Sequence, residues 1–122
     1  MKVLVLEDDF HVLKGAFDYL SYKYYDGKLE VENHAKTQDF TNLNDADKYD
    51  KIFVDISLHR NSNQDGYSFI RSLHDILKNI KKVVIITGSD KVQEKLVEEG
   101  LSDIDVLKKP ITFLDLRRVM PA

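Results

Sequence analysis

The sequence predicts an α/β domain in which helices cover both faces of a parallel sheet. Short apolar runs with no polar alternation recur at Val3-Leu4-Val5-Leu6, Ile52-Phe53-Val54 and Val83-Val84-Ile85-Ile86, the pattern of strands buried on both faces. Between them lie segments whose apolar residues recur three and four apart, one face of a 3.6-residue period. Strand and helix patterns alternate five times, which calls for crossover connections and a parallel sheet.

In chain order, Val3 to Leu6 form a central strand that ends in Glu7-Asp8-Asp9. Phe10, Leu13, Phe17, Leu20 and Tyr24 then predict a helix, stopped by the turn pair Asp26-Gly27. Leu29-Glu30-Val31-Glu32 alternates and reads as a half-exposed strand at a sheet edge. From Ala35 to Tyr49 the pattern is polar, with Phe40 and Leu43 suggesting one short helix. Lys51 to Ser57 is the third strand. His59 to Gly66 is a polar loop rich in turn residues. Ile70, Leu73, Leu77 and Ile80 predict the next helix, and Val83 to Ile86 the fourth strand, ending at Thr87-Gly88-Ser89-Asp90. A charged helix follows with Val92, Leu96 and Val97 inward and Gly100 at its C-terminal end. Ile104 to Leu107 is a more polar strand. Lys109-Pro110 breaks the chain before a last helix carrying Phe113, Leu116 and Met120. Strands two and five are the mixed ones and belong at the edges; the order 2-1-3-4-5 puts them there, and it is the flavodoxin-like order.

Composition bounds the rest. A chain of 122 residues with 43% hydrophobic and 32% charged residues is one ordinary globular domain, residues 1–122, able to bury roughly two-thirds of its unfolded surface. The net charge of -3 and the absence of a basic stripe give no reason to expect nucleic-acid binding. There is no cysteine, which excludes disulfides and thiolate chemistry and fits a reducing compartment. No signal-peptide core or membrane span is present, so a cytoplasmic protein is expected.

Chemistry concentrates where strands end. Open α/β sheets bind ligands beyond the carboxyl ends of their strands. In the order 2-1-3-4-5, strands one and three are neighbours, so the acids at 7–9 converge with Asp55. Clustered carboxylates repel or take up a cation, and oxygen donors without His or Cys suit Mg²⁺. Thr87 and Lys109 add a hydroxyl and an ammonium on the same rim. Such a set suits phosphoryl transfer, with Asp55 attacking phosphorus and Mg²⁺, Thr87 and Lys109 carrying charge on the phosphoryl oxygens. Taken singly these residues have plainer readings: Asp8 and Asp9 as helix caps, Thr87 as structural, Lys109 as solvated. Four rim signals following four of five strands is what sets the plainer readings aside.

The same residues carry a resemblance. Glu7-Asp8 after the first strand, Asp55 ending the third, Asp65-Gly66 before the third helix, Thr87-Gly88 after the fourth strand and Lys109-Pro110 after the fifth resemble the receiver domain of two-component response regulators over essentially the full length. The resemblance implies that Asp55 is the phosphoacceptor, loaded by a histidine kinase or histidine phosphotransfer protein in a phosphorelay. It further implies Asp8 as a direct Mg²⁺ ligand, Glu7 as an acid acting largely through water, and the Ser57 backbone carbonyl as a further metal ligand. Thr87 is implied as the switch hydroxyl and Lys109 as the phosphoryl contact, with Asp9 the register alternative to Glu7. The implied protein is a self-phosphorylating and self-dephosphorylating switch rather than a metabolic enzyme, a monomer or weak dimer with no output domain in this chain.

Several features set this chain apart within the family pattern. Ten positions separate Asp55 from Asp65, a longer loop than the family commonly uses, and its usual proline is missing. Ser57 and Ser89 occupy the positions that tune phosphoryl lifetime. Val106 stands where the family usually has the Tyr or Phe that turns inward on activation. That motivates an alternative: a receiver-like interaction module that no longer switches. A phosphohydrolase with an Asp nucleophile is disfavoured, because such enzymes commonly place a general acid where Ser57 stands. His11, His34, His59 and His74 lack paired ligand spacing and read as surface or loop residues, His59 alone lying near Asp55. Tyr19, Tyr22, Tyr24 and Tyr25 fall on several helix faces, and Gly88-Ser89 is too short to cradle a phosphate.

Overall fold

The structure, a computed structural model, describes residues 1–40, 43–56, 66–88 and 91–121. Five strands, β1 (Lys2–Leu6), β2 (Glu30–His34), β3 (Lys51–Asp55), β4 (Val83–Thr87) and β5 (Asp105–Lys108), form one sheet in the order β2-β1-β3-β4-β5. Every neighbouring pair is parallel. The three apolar runs are the three inner strands, and Val3 to Leu6, Ile52 to Val54 and Val83 to Ile86 are fully buried. The mixed strands β2 and β5 lie at the edges, as their polar residues require.

Residue parity in the strands divides the core into two layers. Helices α1 (His11–Tyr24) and α4 (Phe113–Val119) cover one face, where Leu13, Phe17, Leu20, Leu116 and Val119 pack on Val3, Val5, Phe53, Val84 and Ile86. Helices α2 (Gly66–His74) and α3 (Val92–Glu98) cover the other, with Phe69, Ile70, Leu73, Val92 and Leu96 against Leu4, Leu6, Ile52, Val54 and Ile85.

Some local expectations are corrected. Where one short helix is expected, the described residues of the second crossover form two 3-10 helices, Thr37–Asp39 and Leu43–Lys48. Its Asp and Asn residues compete for backbone hydrogen bonds; among the described residues Phe40, Ala46 and Tyr49 reach the core, with Leu43 packed against it. Tyr24, at the end of α1, is 39% exposed; Tyr25 and Leu29 take the packing position instead. Helix α2 stops at His74, leaving Leu77 buried in the following turn and Ile80 in a separate 3-10 helix, Ile80–Lys82. Asn79 begins that turn by accepting from the Lys81 backbone N–H. Val97 is 68% exposed, since the residue after buried Leu96 is rotated by about 100° around the helix.

The helix ends follow the sequence more closely. Asp26 and Gly27 turn the chain after α1 with φ of 54° and 72°. Gly100, with φ of 71°, closes α3: its N–H donates to Val97 O at 3.2 Å, and the Leu101 N–H to Leu96 O at 2.8 Å, the paired bonds of a Schellman end. Thr112 and Asp115 form a reciprocal capping box at the start of α4. The Lys109–Pro110 peptide is cis. Among the described residues, no helix is long and apolar enough to cross a membrane.

Candidate functional site

Asp55 is the last residue of β3 and is 3% exposed. Its strand is flanked by β1 and β4, so the residues that leave those strands surround it. Glu7 follows β1 and is buried, Asp8 beside it is exposed, and Thr87 ends β4 and is buried. Lys109 follows β5, and its backbone N–H donates to Thr87 O at 2.7 Å, which carries the ladder one residue past the strand and brings the lysine to the rim.

The ammonium sits between two carboxylates. Lys109 Nζ donates to Asp55 Oδ2 at 3.1 Å and lies 2.9 Å from Glu7 Oε2. The second contact is a close ion pair rather than an aligned hydrogen bond, so Glu7 Oε2 is buried with no aligned donor. The other oxygen, Oε1, accepts from the Asp9 backbone N–H at 3.0 Å. Burial, together with the nearby Asp55 charge, pushes the Glu7 carboxyl up to about 7 against the pull of Lys109. Burial works against the Lys109 ammonium, but its contacts with Glu7 and Asp55 outweigh burial and raise its pKa above the ordinary value. Lys109 is thus a fixed positive charge at neutral pH and not a base.

A hard divalent cation fits this donor set. Glu7, Asp8 and Asp55 each offer a carboxylate oxygen, and these atoms lie within 4.8 Å of one another. Their combined charge exceeds that of the single ammonium, and Glu7 Oε2, though paired with Lys109, is buried with no aligned hydrogen-bond donor. All-oxygen donors suit Mg²⁺ or Ca²⁺.

Of the sequence candidates, Glu7, Asp8, Asp55 and Lys109 converge, with Thr87 on the same rim. Ser57, Ser89, His59 and Asp65 lie outside the described residues. Asp9 does not join the acids: its exposed carboxylate pairs with His11 at 3.2 Å. Nor do Asp8 and Asp9 cap α1, whose N-cap is Phe10 with no side-chain cap. His34 is a strand residue, half-buried and bonded to Glu32 at 2.8 Å, rather than a surface or loop histidine. Sequence reasoning missed Asn33, whose amide reaches the backbone of Val5 and Glu7; its one trace is a polar residue in an edge strand. Gly66 was read only as half of a motif. Its backbone packs so tightly that a Cβ there would stand 2.4 Å from Ile56 Cα and 2.7 Å from Asp55 O. Beside Lys109, a groove of about 360 Å³ is lined by Asp9, Val12, Leu13, Lys109, Pro110 and Ile111.

Known structures share this fold. No curated protein sequence matches the chain. Among solved structures, the chain resembles a CheY-like response regulator receiver domain from Methylobacillus flagellatus (TM-score 0.71, 20% identity, 98% of this chain and 94% of that one). It also resembles the receiver domain of the sensor histidine kinase PA1611 from Pseudomonas aeruginosa PAO1, solved with magnesium coordinated in the active site cleft (TM-score 0.70, 21% identity, 97% and 92%). A third is a Burkholderia pseudomallei response regulator with a phosphorylated aspartic acid and a calcium ion (TM-score 0.68, 23% identity, 99% of this chain and 66% of that one). At these identities the structures establish the fold, and the family rests on the match of residues 3–120 to the response regulator receiver domain. With that match spanning nearly the whole sequence, the chain belongs to the response regulator receiver domain family.

Proposed function

We propose that Asp55 accepts a phosphoryl group from a histidine kinase or histidine phosphotransfer protein, and that the resulting acyl phosphate switches binding to a downstream protein. The observation that carries this reading is the Asp55 carboxylate at a strand end, 3.1 Å from Lys109 Nζ and grouped with Glu7 and Asp8. Glu7, Asp8, Asp55 and the backbone carbonyl of Ser57 would hold Mg²⁺, which supplies charge neutralisation for the incoming phosphoryl oxygens. An Asp55 carboxylate oxygen forms the new P–O bond as the P–N bond to the donor imidazole breaks. Lys109 holds Asp55 in place and offers a fixed positive charge to the transferred group. Thr87 offers its hydroxyl to a phosphoryl oxygen and moves inward with it. The groove beside Lys109 gives a donor protein apolar contact next to the acceptor.

On this reading the domain catalyses only its own phosphorylation and dephosphorylation, works in the cytoplasm as a monomer or weak dimer, and has no other chemistry to perform. Intact-mass analysis after incubation with a small phosphodonor and Mg²⁺ tests it. One phosphoryl adduct is expected on the wild type and none on Asp55→Asn. The same adduct on Asp55→Asn would overturn the assignment. Val106 favours a second reading, a receiver-like module that binds without switching, because this half-buried aliphatic residue packs against the α2/α3 core layer and has no ring to turn. Partner binding indifferent to Mg²⁺ and to a phosphoryl mimic would decide for it.

A further inference from the structure

Two adjacent acids can serve one ion only if the chain bends between them. Successive residues of an extended strand point to opposite faces, so Glu7 and Asp8 would diverge if β1 simply continued. It does not. β1 ends at Leu6 and the chain turns from Asp8 onward, yet Glu7 and Asp8 place donor oxygens within 4.8 Å of each other and of Asp55. What fixes this bend is the peptide group joining Glu7 to Asp8.

That peptide is held from the edge strand. Asn33, opposite Val5 in the β1–β2 register, directs its side-chain Nδ2 to Val5 O at 3.1 Å and to Glu7 O at 3.0 Å. Both partners are carbonyl oxygens, which only accept, so the amide must present its two N–H groups to them. The next residue of β2 completes the grip, since His34 O accepts from the Glu7 backbone N–H at 3.1 Å. Glu7 is therefore held at both of its backbone polar groups by consecutive residues of β2. Holding the Glu7 carbonyl sets the plane of the 7–8 peptide, and with it the direction in which Asp8 leaves.

We infer that Asn33 is a positioning residue for the metal site, clamping the Glu7–Asp8 peptide so that both carboxylates face one divalent cation. The inference rests on the proposed reading of Glu7 and Asp8 as metal acids. Partners of this kind orient metal ligands, and losing one commonly weakens affinity by about tenfold or more.

The test is Mg²⁺ affinity measured by calorimetric titration, at a temperature where circular dichroism shows each variant folded. Asn33→Leu keeps the charge and approximate shape but has no donor, and about tenfold weaker Mg²⁺ binding is expected. Should Asn33→Leu fail to fold, Asn33→Ser, whose hydroxyl is too short to span both carbonyls, takes its place. A purely structural loss would add to the effect of Asp8→Asn, whereas a clamp acting through Asp8 gives a double mutant hardly weaker than Asp8→Asn alone. Unchanged affinity in a folded variant, or full additivity with Asp8→Asn, overturns the inference while leaving the metal site standing. Failure of the wild type to bind Mg²⁺ overturns both.

Discussion

Burying Glu7 beside the Asp55 carboxylate has a cost that shows in its protonation. Burial and the Asp55 charge hold its carboxyl at about 7, so near neutrality proton and cation compete for it. Mg²⁺ affinity should therefore rise through pH 6 to 8, with proton release on binding that titrations in buffers of different ionisation enthalpy would detect. The linked stability has the opposite sign. A folded-state pKa raised from 4.5 to about 7 means the folded chain binds the proton more tightly than the unfolded one. That contribution is fully present below about 4.5 and is lost as pH rises through 7. Metal-free protein should become easier to unfold by urea between pH 5 and 8, and Glu7→Gln should flatten both trends. Trends that persist in Glu7→Gln would assign them to another group.

Helix α2 abuts the backbone of the acceptor, although none of its side chains joins the acids. It begins at Gly66, against the peptide that joins Asp55 to Ile56. A methyl group there would meet backbone atoms, which cannot swing aside as a side chain can. Gly66→Ala should cost about 1–3 kcal/mol by overpacking, read as a lower urea midpoint, and should slow labelling of Asp55 in the fraction that folds. A midpoint within experimental error of the wild type would mean that α2 shifts freely. Helix α1 and the second crossover carry a different lesson. The 3.6-residue pattern located α1, but its last apolar position, Tyr24, lies at the helix end and faces solvent. Between β2 and β3, six residues reading Leu-Asn-Asp-Ala-Asp-Lys have too little apolar content to define a period, and the chain settles for 3-10 turns.

At the scale of the whole molecule, the question is how far a change at Asp55 travels. The Lys109 N–H bonds Thr87 O at 2.7 Å, a backbone link through which a movement at the end of β4 should reach the end of β5. Val106 faces the α2/α3 core layer from the middle of that same strand. Adding Mg²⁺ and a phosphoryl mimic should shift amide signals at Thr87, Gly88 and Lys109 and onward through α3 and β5, between residues 91 and 108. Shifts confined to the rim would mean that the aliphatic residue at 106 has uncoupled the output surface.

Strand number, strand order and the rim positions were legible in the sequence alone, for one physical reason. A strand buried on both faces cannot hide its apolar run, and polar residues that recur after strand upon strand at one edge of the sheet stand out together. Glu7, Asp8, Asp55 and Thr87 follow such buried runs, and Lys109 follows the mixed edge strand β5 on the same rim. How those residues meet comes from the folded chain: Lys109 spans Glu7 and Asp55, Asp9 turns aside to His11, and Asn33 grips the Glu7–Asp8 peptide from the neighbouring strand. These facts depend on peptide orientation and on contacts between residues far apart in the chain. A pattern along one strand carries no record of them.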